Sequence, residues 1–160
     1  MTGQNGRHAA DALPASALET HIGYWLRLVS NEVSDAFARE LQKRNVSVAE
    51  WVAINQLAAG TLTAARLATA MGMTRGAISK ILDRLDSKQL IARSVSPLDS
   101  RVQRLALTGR ARRLLPSLTR IADDNDSHFF AALDPEERAS LQNVLRKLAR
   151  ANQISRIPIE

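Results

Sequence analysis

Two short amphipathic stretches meet at a glycine in LTAARLATAMGMTRGAISKILDRL, residues 62–85, and this juncture constrains the fold more than any other part of the chain. Leu67, Met71, Met73, Ile78 and Ile81 recur at the spacings of buried helical positions, and Ala68 is small where two helices have to approach. Thr63 and Thr74 each stand where a hydroxyl can accept from the free N–H groups of a first helical turn. Gly72 can take the left-handed backbone that ends the first helix at little steric cost. Short helix, tight turn and second helix make a helix-turn-helix, in which the first helix braces the second. On that second helix Ile78, Ile81, Leu82 and Leu85 form the apolar stripe, so Gly76, Ser79, Lys80, Asp83 and Ser87 fall near the opposite face.

The flanking sequence supplies more helices and one hairpin. From Ser16 to about Lys43 apolar residues recur by threes and fours, which predicts one long amphipathic helix. Ser47 and Glu50 form a capping box ahead of a helix through Trp51, Ile54 and Leu57, with Gly60 as its stop. The helix opened by Thr74 is expected to run to about Gln89. β-Branched and alternating residues on both sides of Ser-Pro-Leu-Asp-Ser, residues 96–100, then predict a two-stranded hairpin. Thr108 opens a long helix through Leu114, Leu118, Ile121, Phe129 and Phe130, with Pro116 far enough inside to bend it. Asp134, Pro135 and Glu137 open a last helix whose apolar face is Leu141, Val144, Leu145 and Leu148.

Composition narrows the chemistry. The 160 residues suit one domain or two packed lobes, and the 45% hydrophobic content is enough for a core. Cysteine is absent, which excludes disulfides, thiolate metal sites and cysteine nucleophiles. His8, His21 and His128 lie far apart in sequence, so no metal or cofactor site is expected. No apolar run is long enough to span a membrane or to serve as a secretory signal, which predicts a cytoplasmic protein with no membrane partner. The formal net charge is +6, and residues 72–113 alone carry +7. A helix that reads the major groove needs short hydrogen-bonding side chains, long cations and little bulk at its start. Thr74, Arg75, Gly76, Ser79 and Lys80 supply these, with Arg84 and Lys88 as candidates for phosphate contact. The competing reading is a solvated charged face on an ordinary surface helix.

From Leu62 to Thr108, and outward over nearly the whole chain, the sequence resembles the MarR family of winged helix-turn-helix transcriptional regulators. The resemblance rests on Asp83, Arg84 and Leu85 at the end of the reading helix, on Asp99 and Arg101 two apart in the wing, and on Leu107 and Thr108 behind it. Ser96 departs from the family's usual Asp before proline, and Gly109 follows Thr108 directly. The resemblance implies that Arg101 enters a minor groove and that Asp99 holds its guanidinium; a salt bridge that only stiffens the hairpin is the alternative.

The implied fold is mainly α. A flexible tail occupies residues 1–15, a winged helix-turn-helix residues 47–108, and a helical dimerisation region residues 16–46 and 109–155. The terminal helices are richer in apolar residues than one compact lobe needs, and the family interlocks them between subunits. Leu18, Ile22, Phe129, Phe130, Leu141, Val144, Leu145 and Leu148 are the candidate homodimer contacts, with intrachain core as the alternative. A two-fold dimer would read a pseudo-palindromic operator on double-stranded DNA. The resemblance alone implies a repressor that responds to a small aromatic or anionic effector, for which His21, Tyr24, Trp25 and Arg27 are candidate lining residues. No phosphate loop, nucleophile elbow or metal motif points to an enzyme. A winged-helix protein-binding adaptor and a sequence-blind architectural DNA binder are the rival functions.

Overall fold

A run of side chains with almost no exposed surface, from Leu41 through Ile54, Leu57, Leu67, Met71, Ile78, Ile81 and Leu85 to Leu105 and Leu118, ties all the long helices but the last, together with the hairpin, into one core. The computed structural model describes residues 17–95, 103–155 and 157–159. A 3-10 turn at Leu18–Thr20 precedes α1 (Ile22–Gln42), α2 (Val48–Ala58), α3 (Ala64–Met71) and α4 (Arg75–Ser87). Strands β1 (Ile91–Val95) and β2 (Gln103–Leu107) follow, then α5 (Gly109–Phe129) and α6 (Pro135–Ala151). The architecture is mainly helical with a two-stranded antiparallel sheet, the winged-helix arrangement expected from the sequence.

Local chemistry sets most of the boundaries. Ser47 Oγ accepts from the Glu50 N–H at 3.2 Å while the Glu50 carboxylate accepts from the Ser47 N–H at 2.8 Å, so the capping box closes in both directions. Asp134 and Glu137 repeat the device at the start of α6, with Pro135 in the first turn. One expectation fails: the helix from Ser16 is not continuous, because His21 takes an extended backbone (φ −97°, ψ 125°) between the 3-10 turn and α1. The turn is held by Thr20 Oγ1 donating to the Ala17 carbonyl and by Trp25 Nε1 donating to that of Glu19. These local bonds offer the backbone an alternative to helix, which the apolar spacing does not encode. α4 likewise stops at Ser87, two residues short of expectation, and Gln89 at φ 56° turns the chain into β1.

The hairpin pairs Ile91 with Leu107 and Val95 with Gln103. Leu62 adds a short third rung, exchanging backbone hydrogen bonds with Leu105 at 3.1 and 2.7 Å. Leu90, Ile91, Leu105 and Leu107 are buried beneath the hairpin, and at roughly 1.5–3 kcal/mol for each buried aliphatic side chain they anchor it to the helices. α1 packs on α5, and α3 on α4. α6 differs from the rest: among its residues none is buried within the chain.

Candidate nucleic-acid interface

The turn between α3 and α4 is built from three capping interactions. Thr63 Oγ1 accepts from the Arg66 N–H and Thr74 Oγ1 from the Ala77 N–H, each at 3.2 Å. Gly72 sits at φ 63° and ψ 29°, and the N–H groups of Gly72 and Met73 close the end of α3 on the Thr69 and Ala68 carbonyls. Leu67, Ala68 and Met71 face Ile78, Ile81 and Leu82 across this turn, all buried, so the angle between the helices is fixed by packing.

The face of α4 opposite the buried stripe carries Arg75, Gly76, Ser79 and Lys80, all exposed, with Thr74 at its cap. Arg75 and Lys80 have no ion-pair partner among the described residues. A Cβ built on Gly76 would meet nothing within 4 Å, so no intrachain packing requires glycine there. A glycine in a helix costs up to about 1 kcal/mol relative to alanine, and Gly76 is the second residue of α4. Asp83, on the same face, is engaged: the Arg93 guanidinium of β1 lies 3.3 Å from its carboxylate and 3.5 Å from that of Asp86. Arg93 therefore fastens the hairpin to α4, a role the sequence gives only as one more cation in a basic segment.

Lys88, a candidate for phosphate contact, has partners within the chain. Its ammonium donates to the Asn45 carbonyl at 2.7 Å and to both Glu50 oxygens at 2.9 and 2.8 Å, which uses all three of its protons. It is an internal partner of Glu50, whose side chain is 1% exposed. Arg84 leans the same way, its Nε 3.8 Å from Glu50, yet keeps more than half its side-chain surface exposed. Glu50 is the residue that sequence reasoning undervalued: it closes a capping box and also neutralises a cation 38 positions away. The signal was present, since α2 is apolar on nearly every side and a carboxylate in such a helix needs a partner. Asp99 and Arg101 lie outside the described residues.

The residues expected at a dimer contact and those expected around an effector fall partly on one surface. An open groove of about 820 Å³ runs between α1 and α6, where Ile22, Phe130, Leu141 and Leu145 meet Trp25 and Arg27. His21 and Tyr24 are not among its lining residues; Tyr24 stacks edge-on against Trp25 at 5.3 Å. Leu18, Ile22, Val144, Leu145 and Leu148 are exposed, Ile22 at 76%, whereas Phe129, Phe130 and Leu141 are half-buried. The intrachain-core alternative therefore fails for the first five within one copy of the chain. Arg138 ties α6 to α5 through a salt bridge to Asp126 and lies over the Phe130 ring, 5.9 Å from its centre.

Residues 44–102 match the sequence model of the MarR family. A putative transcriptional regulatory protein for the hcr operon of Thauera aromatica is 34% identical over 89 residues, 56% of this chain and 54% of that protein. The chain thus matches about half the length of this curated relative. Among solved structures, Bordetella bronchiseptica BpsR, described in connection with regulation of its DNA binding by 6-hydroxynicotinic acid, superposes with a TM-score of 0.72 at 22% identity, covering 84% of this chain and 97% of that one. A probable transcriptional regulator from Pseudomonas aeruginosa gives 0.72 at 26% identity, covering 82% and 99%. A mutant of MarR from E. coli complexed with operator DNA gives 0.70 at 22% identity, covering 79% and 92%.

Proposed function

Taking as premise that this chain carries a MarR-family winged-helix domain, we propose that it is a sequence-specific DNA-binding transcriptional regulator that acts as a homodimer on a pseudo-palindromic operator. The observation that carries this reading is the exposed face of α4, where Arg75, Gly76, Ser79 and Lys80 stand over a fully buried stripe. Cations with no ion-pair partner among the described residues and a small hydroxyl on a rigidly braced helix suit base edges between two rows of phosphates. Thr74 and the first-turn N–H groups add a place for a phosphate oxygen. The wing arginine, Arg101, enters the adjacent minor groove in this reading, with Asp99 orienting it.

The dimer follows from the terminal helices. Ile22, Trp25, Leu26 and Val29 of α1 and Val144, Leu145 and Leu148 of α6 leave an apolar surface that one copy does not cover, and a second copy brought there by a two-fold axis would cover it. Residues 47–108 then read DNA while the helices before and after them join the subunits. No helix among the described residues is long and apolar enough to cross a membrane, in keeping with work on DNA in the cytoplasm. BpsR binds DNA under control of a small molecule, and by likeness this chain is a repressor relieved by a small aromatic or anionic effector; it carries no catalytic activity in this reading.

The test is a titration of labelled duplexes at fixed salt. Lys80→Ala and Ser79→Ala are each expected to weaken a preferred operator by ~1–3 kcal/mol while changing a random duplex much less. Equal loss on both duplexes would remove direct base reading and leave a sequence-blind binder. No loss on either would favour the protein-binding adaptor, which needs no cationic reading face.

A further inference from the structure

We propose that Ile157 and Ile159, beyond the end of α6, form a strap that pins the joint between α1 and α2 and so restrains the DNA-binding lobe against the dimerisation helices. α6 ends in a left-handed turn: Gln153 takes φ 54°, and the Ile154 N–H donates back to the Ala149 carbonyl at 2.8 Å. The chain leaves the helix there. Pro158 then fixes its own φ and keeps Ile157 out of helical backbone, so Ile157 and Ile159 fall on one side of an extended segment. Their burial follows that alternation. Both isoleucines are half-buried against the core, whereas Pro158 between them is exposed, as is Ile154 ahead of them, at 63%. α6 itself has no buried residue, yet the segment behind it returns to the core.

Ile159 lines one concavity with Ala38 and Gln42 of α1, Glu50 of α2, and Arg84 and Lys88 at the far end of α4. Those residues stand on the two sides of a joint. α1 carries part of the uncovered apolar surface, α2 and α4 belong to the lobe, and the connection from α1 to α2 passes through Asn45 at φ 56°. Left-handed backbone at a residue other than glycine persists only where its surroundings hold it. Here Lys88 holds it, donating to the Asn45 carbonyl at 2.7 Å while it also pairs with Glu50. An apolar side chain at the edge of this cluster displaces water from it, and a drier site strengthens the pair. A swing of the lobe relative to α1 has to bend this joint, and an isoleucine packed beside both of its sides resists the bend. Two α4 helices meet one duplex only at the separation its groove sets. The consequence for DNA therefore rests on the dimeric operator reading, whereas the docking of the strap does not.

Two measurements on the full chain test the strap: amide hydrogen exchange, and the distance between spin labels on the two copies of a dimer. The chain has no cysteine, so Ser79→Cys on the exposed face of α4 takes one label per copy. In Ile157→Ser/Ile159→Ser, exchange at residues 45–50 and 88–90 is expected to quicken at least about tenfold while α3 and β2 stay within about twofold. The inter-label distribution should widen at least about twofold. Ile154→Ser, in the same segment but exposed, should match the unaltered chain in both measurements, and Ile159→Ala should fall between. Unchanged exchange at residues 45–50 would show that the isoleucines hold nothing there, and faster exchange throughout would reduce them to ordinary core. Faster local exchange with an unwidened distribution would mean that the joint stays stiff without them. Each of these results overturns the strap. Absence of any inter-copy distance in the unaltered chain would count against the homodimer instead, and exchange, which needs neither dimer nor DNA, would still decide the docking.

Discussion

Two cations, Lys80 on α4 and Lys88 just past its end, illustrate how burial decides the use of a charge. Lys80 has no ion-pair partner among the described residues, whereas Lys88, eight positions on, donates twice to the buried Glu50 carboxylate and once to the Asn45 carbonyl. Removing one partner of a buried pair leaves the other uncompensated, so Lys88→Met is expected to lower stability by roughly 3 kcal/mol, the lower part of the usual range because Arg84 remains near Glu50. Urea denaturation measures this; the salt dependence of DNA binding should stay as it is, and a flattened slope at unchanged stability would return Lys88 to the phosphates. Gly76 offers the opposite case. With open space beside it, Gly76→Ala should stabilise the fold by roughly 0.5–1 kcal/mol while weakening the preferred duplex, since the methyl group would stand between helix and groove. A gain in stability with unchanged DNA affinity would show that no backbone approach occurs there. The exposed face of α4 was legible from helical period alone, but the Glu50–Lys88 pair was not: its partners are 38 positions apart and only packing brings them together.

At the level of elements, the caps carry most of what the sequence encodes. Ser47, Thr63, Thr74, Thr108 and Asp134 each open the helix expected of them, because a cap and its N–H partner lie within three residues of each other. Thr108 does more than cap. Its hydroxyl accepts from the Ala111 N–H at 3.2 Å and donates to the Gln89 carbonyl at 2.8 Å, tying α5 to the turn after α4. Thr108→Ala is therefore expected to cost about 2 kcal/mol in denaturant unfolding, against about 1 for Thr63→Ala, which loses a cap alone. Equal losses would mean that the link to Gln89 contributes nothing. The break at His21 was illegible for the complementary reason: the apolar spacing continues through it, and the bonds that interrupt the helix come from a threonine hydroxyl and a tryptophan N–H turned back on the chain.

Over the molecule as a whole, the terminal helices α1 and α6 expose apolar side chains where the elements between them bury theirs. The core of α2, α3, α4 and the hairpin is closed, while α1 and α6 leave Ile22 at 76% and Val144 at 51% exposure. Leu145→Glu, at a position 41% exposed and so tolerated by the single copy, is expected to yield a folded monomer in sedimentation and to abolish tight operator binding; a dimer that persists would place the subunit contact elsewhere. Apolar surplus on the terminal helices could be read from the sequence, but whether it faces inward or outward could not, because a helix of period 3.6 looks the same in a core and in a subunit contact. The central claim is that two copies present α4 to one duplex with two-fold symmetry. Selection of bound duplexes from a random pool by the intact protein tests it most directly: the expected product is an inverted repeat whose half-sites are centred about one helical turn, roughly 10 base pairs, apart, and recovery of a single unrepeated site, or of no enriched sequence at all, would contradict it.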